Sequence, residues 1–330
     1  MHPELFTIPF TTLTVKSYGT MMVIGFLCAV FIIRKLSNKI TPDPQYIINA
    51  ALYSLIAGVV GARLFYVIHY FDNFKGDLLS VFAIWQGGLE LLGGVLLAIT
   101  VIILYMRYHK LPIRQYLDIL AVALMIGLAF GRIGCFLNGC CYGKPTDISW
   151  GVQFPYDSYA YRSQVYANPD RNRLEPQLEL PDEFFGYYDE TGSYYSGLKP
   201  YDKLSDVQKQ MVDNEGLYRC LPVHPTQLYS SLNGIFLFGV LWFFWHRYEG
   251  RGKKTRKYFA KPGCTFGLMF VVYGVTRFLI EFIRDDNPYE FDGITVSQNI
   301  CVGLIIFGFV MMVAFHLIEP KMRINNTTKK

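Results

Sequence analysis

The sequence predicts an all-α polytopic membrane protein with seven transmembrane helices and a mixed extracytoplasmic head inserted between spans four and five. Hydrophobic residues make up 52% of the 330 residues, and the mean hydropathy is +0.24. Runs of about 20 apolar residues recur, which is the length needed to cross a hydrocarbon core of about 30 Å. One long polar stretch, 138–223, interrupts them and is rich in Tyr, Asp, Glu, Pro and Asn, which indicates an extramembrane head.

Seven apolar stretches are candidate spans. They cover approximately 18–34, 48–70, 88–106, 115–137, 225–246, 264–283 and 296–318. The predicted domains are therefore 1–137 with spans one to four, 138–223 as the head, and 224–330 with spans five to seven and a cytoplasmic tail. In the head we expect turns and short strands near 148–155. No small-residue cleavage site follows the first apolar run, so we expect that span to stay in the mature chain.

Lys and Arg residues indicate the orientation. They cluster after spans one, three, five and seven, most densely at 251–261, whereas the short segments on the opposite side hold only Lys16, Lys75 and Arg284. Positive residues favour the cytoplasmic side. We therefore expect the N-terminus and the head outside, and the C-terminus in the cytoplasm. The cluster at 251–261 adjoins a span, so we interpret it as a membrane anchor and expect no nucleic-acid partner.

The chain has seven cysteines, of which three lie in apolar spans and are expected to pack as small hydrophobic side chains. Cys135, Cys140, Cys141 and Cys220 would lie at or beyond the outer surface, where oxidation can occur. A disulfide from Cys140 or Cys141 to Cys220 is one option. The Cys-x4-Cys-Cys spacing does not match a zinc pattern and no nearby His completes one, so we expect no metal and no cofactor.

Three arginines, Arg63, Arg132 and Arg277, lie inside apolar stretches. An unpaired Arg near the bilayer centre costs about 2.5–3.5 kcal/mol on insertion scales. Each therefore needs an anionic partner, either a carboxylate of the chain or the phosphate of a lipid. The planar guanidinium suits phosphate oxygens, and we expect the three to lie at a similar depth in the outer half of the membrane.

The end of span four carries the densest cluster of candidate site residues, GRIGCFLNGCCYGKPTD. Arg132 lies about one and a half turns before Asn138, and Gly134 and Gly143 leave room for close approach. We interpret Arg132 as a phosphate ligand, with pairing to a buried carboxylate such as Glu281 as the alternative.

In span six, Tyr273, Arg277 and Glu281 are spaced i, i+4, i+8, so one helix face carries all three. A pair between Arg277 and Glu281 would reduce the insertion penalty. Two guanidinium groups at one depth, those of Arg132 and Arg277, can neutralise one phosphodiester.

Two further motifs lie at predicted outer helix ends. HPTQLY opens span five, where Gln227 and Tyr229 supply neutral hydrogen bonds and His224 is either structural or catalytic. Tyr18 begins span one and is either a ligand contact or an aromatic anchor. Two Gly-Gly pairs at the entry of span three predict an irregular backbone, which protein or a wet cavity must accommodate.

These motifs together resemble the prolipoprotein diacylglyceryl transferase family. The resemblance rests on SYG, Gly-Ala-Arg, WQGGLELLGG, GRIGCFLNGCCYG, HPTQLY and YGVTRFLIEFIR, in this order over most of the chain. It implies a bacterial inner-membrane transferase that moves the sn-1,2-diacylglyceryl group of phosphatidylglycerol to the lipobox cysteine of a prolipoprotein signal peptide. Glycerol phosphate would be released, and the seven implied spans agree with the seven counted above.

The resemblance also assigns site residues. Arg132 matches the family's lipid-phosphate arginine and Arg277 its second essential arginine. Tyr18, Asn138, Gly143, Asp118 and Glu281 match further family positions. The predicted catalytic residues are therefore Arg132, Arg277, Glu281 and His224, and the predicted substrate-binding residues are Arg132, Arg63, Tyr18, Asn138, Gly134, Gly143, Gln227 and Tyr229.

The chain departs from the family pattern at three positions. Leu92 stands where the family often has a His proposed as the base for the thiol, Cys135 replaces an Asn, and Cys140 replaces a Glu. The phosphate-binding residues are present, whereas the identity of the general base stays open, with Glu90, His224 and His69 as candidates. Two other functions stay open: a related transferase with another acceptor, and a non-enzymatic lipid or anion transporter.

Overall fold

The computed structural model describes residues 4–7, 14–40, 43–76, 78–84, 87–189, 191–213, 215–248, 261–291 and 293–318. Most of the basic cluster at 251–261 and the predicted cytoplasmic tail beyond 318 lie outside the described residues.

The described chain is mostly helical, and each predicted span is a helix. The α-helices are α1 (Ser17–Ser37), α2 (Gln45–His69), α3 (Leu91–Tyr108), α4 (Ile113–Asn138), α5 (Tyr159–Val165), α6 (Asp206–Val212), α7 (Thr226–Tyr248), α8 (Cys264–Glu281) and α9 (Val296–Leu317). Six of them, α1, α2, α4, α7, α8 and α9, are long and apolar enough to cross a membrane. The helix α3 is apolar over Leu92–Tyr108 but falls short of the length that the other six reach.

The start of α3 explains its shorter length. Gly87 and Gly88 have φ angles of 87° and 68°, a left-handed conformation that favours glycine. A Cβ added to Gly88 would lie 2.4 Å from the ring of Tyr66, so this position has no room for a side chain. Glu90 is still extended, and the helix begins only after it. The irregular backbone predicted here is confirmed.

The chain forms two compact units. The first comprises Met1–Leu27, Leu124–Val240 and Gly267–Val310, and the second comprises Cys28–Ala123, Leu241–Phe266 and Met311–Lys330. In the first unit, small residues let helices approach closely. A Cβ on Gly25 of α1 would lie 3.1 Å from the carbonyl oxygen of Gly127 in α4, and one on Gly308 of α9 would lie 2.6 Å from that of Gly267 in α8.

The second unit is built in the same way around α2 and α3. A Cβ on Gly61 would lie 2.5 Å from the carbonyl oxygen of Gly93. In α4, Asp118 is fully buried and accepts hydrogen bonds from the backbone N–H groups of Gly263 (2.5 Å) and Phe266 (2.7 Å). A carboxylate at this position is attracted to the positive N-terminal end of α8. Asp118 therefore links α4 to the start of α8.

The polar segment between α4 and α7 has a hydrophobic core of its own. It contains α5, α6 and a hairpin of β3 (Phe185–Tyr188) and β4 (Tyr194–Leu198). Two further hairpins join β1 (Glu4–Thr7) to β2 (Thr14–Lys16) and β5 (Tyr289–Phe291) to β6 (Ile294–Thr295). The core residues are Tyr142, Phe154, Tyr156, Ala160, Tyr161, Val165, Phe184, Leu198, Leu204, Val212, Cys220 and Val223.

The prediction of short strands near 148–155 is wrong. That stretch contributes only an isolated bridge between Val152 and Val223, and the hairpin lies some thirty residues later. Two pairs of adjacent tyrosines, at 187–188 and 194–195, were the better signal, since they face each other across the two strands and aromatic residues pack well there.

All seven cysteines are free thiols, so no disulfide joins Cys140 or Cys141 to Cys220. Cys220 instead lies in the core of the polar segment and donates to the side-chain oxygen of Gln164 (3.4 Å). Burial raises the pKa of the Cys220 thiol to about 11, which makes it a poor nucleophile at neutral pH.

Candidate functional site

The candidate site starts where α4 ends. The N–H of Gly139 donates to the carbonyl of Phe136 (3.2 Å), and the N–H of Cys140 donates to that of Cys135 (3.2 Å). This pair of bonds is a Schellman motif, which requires a left-handed residue after the helix. Gly139 supplies it with φ 75°. The helix therefore stops at Asn138, and the chain turns sharply into Cys140 and Cys141.

The start of α7 holds this turn in place. Thr226 donates its hydroxyl to the carbonyl of Cys141 (2.7 Å), and Gln227 donates its side-chain amide to that of Cys140 (2.7 Å). Cys141 has φ 61°, which is unusual for a residue with a side chain. Gly143 donates its N–H to the carbonyl of His224 (3.1 Å). Hydrogen bonds to backbone carbonyl groups thus join the end of α4 to the start of α7.

Gly143 itself has no space for a larger side chain. An added Cβ would lie 2.6 Å from the carbonyl oxygen of His224 and 2.8 Å from that of Ile283. A third segment, after α8, therefore packs against the same turn.

The turn brings three thiols together. The sulfur atoms of Cys135, Cys140 and Cys141 all lie within 4.8 Å of one another. Hydrogen bonds from the Cys135 and Cys140 thiols, followed by the charges of Arg284 and Arg132, hold the pKa of Cys141 far below its usual range. Arg132 lies close to the same sulfur, with its Nη1 3.6 Å from Cys141 Sγ.

Arg132 is half-buried in the last turns of α4. It takes part in no ion pair among the residues that the structure describes. The alternative that Arg132 pairs with Glu281 is therefore wrong, since that carboxylate is occupied by other groups. Tyr18 and Tyr273 lie within electrostatic reach of Arg132. A Cβ on Gly134 would lie 3.1 Å from the Tyr18 ring, so Gly134 allows α1 to approach α4 here.

Glu281 is the carboxylate at the C-terminal end of α8, and it is only 2% exposed. It forms an ion pair with Arg277, as the i, i+4 spacing predicted. Its other oxygen accepts hydrogen bonds from Asn287 (2.5 Å) and Thr295 (2.9 Å). The Nε of Arg284 lies 3.7 Å from the oxygen that pairs with Arg277. The charge of Arg277 is thus neutralised inside the protein.

Arg284 follows α8 and is also buried. Its guanidinium binds both carboxylate oxygens of Asp286, at 2.8 Å and 2.5 Å. Its backbone carbonyl accepts a hydrogen bond from Arg171 (2.5 Å), which also pairs with Asp285 (3.3 Å). The polar segment therefore fixes the loop that carries Arg284, and the charge of Arg284 reaches both Arg132 and Cys141.

His224 lies at the start of α7, beside the turn. Its Nδ1 is 3.4 Å from the hydroxyl of Tyr229, which also accepts a hydrogen bond from Trp150 (2.8 Å). Tyr229 thus contacts neighbouring side chains. Gln227 is fully buried, and its amide is engaged with the Cys140 carbonyl.

Arg63 belongs to the second unit, where backbone carbonyls surround it. Its guanidinium donates to the carbonyls of Ser80 (2.6 Å), Val81 (2.8 Å), Gly87 (2.7 Å) and Gly88 (3.1 Å). These bonds tie the irregular segment before α3 to α2. The partners of Arg63 are thus neutral carbonyl groups and not the carboxylate or phosphate expected from the sequence.

Comparison with known proteins identifies the family. Residues 3–314 match the family model described as prolipoprotein diacylglyceryl transferase. The chain belongs to the prolipoprotein diacylglyceryl transferase family. The phosphatidylglycerol–prolipoprotein diacylglyceryl transferase of Buchnera aphidicola (strain 5A) is 31% identical over 321 residues, which cover 94% of this chain and 95% of the relative. The one from Stenotrophomonas maltophilia is 30% identical over 305 residues, or 90% and 86%. The one from Clostridium tetani is 28% identical over 309 residues, or 93% and 95%.

Most of the predicted site residues of this family member lie in the first unit. Arg132, Gly134 and Asn138 lie at the end of α4 and Gly143 lies in the turn that follows, and the Asn138 side chain is hydrogen-bonded to the Cys140 thiol. Tyr18, His224, Gln227 and Tyr229 lie on α1 and near the start of α7, and Arg277 and Glu281 on α8.

Sequence reasoning missed two features of the candidate site. Arg284 was counted only among the few positive residues of the short outer segments, although its i+3 spacing from Glu281 indicated an ion pair. The convergence of Cys135 with Cys140 and Cys141 depends on the helix ending at Asn138, and Gly139 was the signal for that end.

Proposed function

We propose that this protein transfers the sn-1,2-diacylglyceryl group of phosphatidylglycerol to the lipobox cysteine thiol of prolipoprotein signal peptides, releasing glycerol phosphate. The observation that carries the proposal is the half-buried Arg132, which has no carboxylate partner among the described residues. The described residues give its guanidinium one hydrogen-bond acceptor, the Cys141 sulfur, which leaves further donors for an external anion. The names of the relatives, which include phosphatidylglycerol and prolipoprotein, support a phospholipid as that anion.

In the proposed reaction, the substrate sulfur attacks C3 of the glyceryl group. A C–S bond forms, the C3–O bond to phosphate breaks, and its electron pair leaves with glycerol phosphate. Arg132 binds two phosphate oxygens through its planar fork and stabilises the charge that develops there. Arg284, whose charge reaches the same place, adds to this field, and Arg277 acts through Glu281, which orders the end of α8.

The proton of the attacking thiol passes to a base. A free thiol is a few per cent ionised at pH 7, so this activation need not be large. We assign the role to His224, which lies in the same unit as Arg132. The other two candidates for the base, Glu90 and His69, belong to the second unit. There the Nδ1 of His69 lies 3.5 Å from a carboxylate oxygen of Glu90.

The proposed setting is a bacterial inner membrane crossed by seven helices, with α3 counted as the third span. The N-terminus and the polar segment face outside and the C-terminus lies in the cytoplasm, as the Lys and Arg asymmetry supports. Residues 1–137 and 224–330 then form the membrane part and 138–223 the head. The substrates are membrane lipid and a signal peptide, with no nucleic acid.

The decisive experiment is transfer in reconstituted vesicles. The protein is mixed with phosphatidylglycerol labelled in its acyl chains and with a signal peptide that carries a lipobox cysteine. A peptide with Ser in place of that Cys is the substrate control. We expect label only in the Cys peptide. Label in another acceptor would favour the related transferase, and bound but unreacted lipid would favour the transporter.

Two variants test the role of Arg132. Arg132→Lys keeps the charge but loses the bidentate fork, so we expect the transfer rate to fall by about 100-fold or more. Arg162→Lys is the matched control, because Arg162 makes an exposed ion pair with Asp157 (2.7 Å). Near-normal transfer by Arg132→Lys would contradict the proposed role.

A further inference from the structure

The three-thiol cluster of Cys135, Cys140 and Cys141 has no role in the proposed transfer reaction. It nevertheless has the form of a ligand set, since all three sulfur atoms lie within 4.8 Å of one another. One comes from the last turn of α4 and two from the turn that follows. Free cysteines otherwise behave as small hydrophobic side chains, and packing alone does not require their sulfur atoms to converge.

The backbone holds these sulfur atoms in place. The Schellman bonds fix Cys135 relative to Cys140, and the side chains of Thr226 and Gln227 fix the carbonyls of Cys141 and Cys140. Cys141 keeps its left-handed φ of 61° under these constraints. A ligand set that is already ordered loses little conformational entropy when it binds an ion.

The spacing fits a three-coordinate metal. With metal–sulfur bonds of about 2.3 Å, three sulfur atoms around one ion would lie roughly 4.0 Å apart. The observed limit of 4.8 Å therefore requires each sulfur to move inward by well under 1 Å. Side-chain rotation alone can supply this movement, with no change in the turn.

Charge and softness select the ion. No His, Asp or Glu joins the cluster among the residues described, and an all-thiolate set favours soft ions such as Cu(I). Three thiolates and one monovalent ion carry a charge of −2, and the guanidinium of Arg132, with Nη1 3.6 Å from Cys141 Sγ, lies close enough to offset part of it. A structural zinc ion usually takes four ligands, whereas the cluster among the described residues supplies three.

We propose that Cys135, Cys140 and Cys141 form a trigonal binding site for a soft monovalent metal ion of the Cu(I) type. Binding replaces the thiol protons, which pass to solvent, and oxidises nothing. The spacing of the cysteines in the sequence does not match a zinc pattern. The three sulfur atoms come together because α4 ends at Asn138, between the first and second ligand.

The test is a titration of the purified full-length protein in detergent, reduced and under anaerobic conditions. Cu(I) is supplied from a coloured chelator, and the loss of the chelator complex reports transfer to the protein. We expect one Cu(I) per chain and X-ray absorption showing three sulfur neighbours. Failure to take Cu(I) from the chelator would overturn the proposal, as would a preference for Zn(II) with a fourth ligand.

Cysteine variants locate the ion. We expect Cys140→Ser and Cys141→Ser to weaken Cu(I) binding by more than the roughly 10- to 100-fold that loss of an outer-shell partner costs. Cys28→Ser is the matched control, since Cys28 lies in α1 outside the cluster and should leave binding unchanged. Cys135 is buried, so if Cys135→Ser fails to fold, the other two variants decide. Unchanged Cu(I) affinity in both of them would refute the site.

Discussion

The ends of α4 and α8 each carry an arginine in an apolar helix, but the two arginines have different partners. At the end of α8, Arg277 is paired with the buried Glu281, which Asn287 and Thr295 also bind. At the end of α4, Arg132 has a thiol neighbour at 3.6 Å and no ion pair among the described residues.

This difference separates structure from function within one unit. A buried arginine with its own carboxylate contributes to the fold and presents little net charge to a ligand. An arginine without one keeps donors for a ligand, which we propose to be the lipid phosphate. The α8 end is therefore expected to govern stability and the α4 end to govern chemistry.

The largest expected effect is that of Glu281→Gln. The amide keeps an acceptor for Asn287 and Thr295 but leaves Arg277 without a counter-ion. Removing one partner of a buried pair costs about 3–5 kcal/mol, and thermal unfolding in detergent should show it as a marked fall in Tm. Glu290→Gln is the control, because Glu290 is exposed. Equal Tm values for the two variants would remove the contrast drawn above.

Arg132→Gln should show the opposite pattern. Because no carboxylate is left unpaired, the free energy of unfolding should change by only about 0.5 kcal/mol. The transfer rate should fall by roughly 100- to 1,000-fold, as for loss of one donor to a developing anion. Both quantities are measured on the same preparation. A large fall in Tm with modest loss of transfer would place Arg132 with the structural arginines.

Gly143→Ala tests the junction of the two ends. The added methyl group would lie 2.6 Å and 2.8 Å from two carbonyl oxygens, those of His224 and Ile283. Overpacking of this kind costs about 1–3 kcal/mol, and transfer should fall because the turn after α4 shifts. The nearest neighbour of a Cβ on Gly131 is the flexible Met22 sulfur at 3.4 Å. Gly131→Ala should therefore be close to neutral in Tm and in transfer rate.

The smallest expected effect is that of Thr226→Val. This change preserves shape but removes the hydroxyl that donates to the Cys141 carbonyl. A net loss of about 1 kcal/mol in the free energy of unfolding is expected. Thr100→Val serves as a comparison, since Thr100 is exposed and its hydroxyl bonds only within its own helix. If the two variants unfold at the same temperature, the hydrogen bond from Thr226 to the Cys141 carbonyl contributes no stability.

Local patterns predicted much of this arrangement. Apolar runs located the seven long helices to within a few residues, and the i, i+4 spacing predicted the pair between Arg277 and Glu281. The four carbonyl partners of Arg63 lie 17 to 25 residues away in the sequence, on a segment without regular periodicity. No local pattern reports such contacts, so the role of Arg63 stayed hidden.

The same limit applies to the site. Tyr18, Arg132 and Gly143 were found through motifs, which record residue type and spacing. The closeness of Arg284 to Cys141 depends on how three chain segments meet, and Arg171 from the polar segment helps to fix it. Such long-range packing follows from the whole fold, which no single motif contains.

The polar segment leaves and rejoins the helices at almost one place. Thr146 donates its N–H to the carbonyl of Pro222 (2.8 Å), and His224 donates its own to that of Lys144 (3.0 Å). A loop closed at its base can change length at its tip with little entropic penalty. An epitope inserted at the exposed turn near Gly192 should thus leave the spacing of α4 and α7 unaltered, which offers a practical handle for purification.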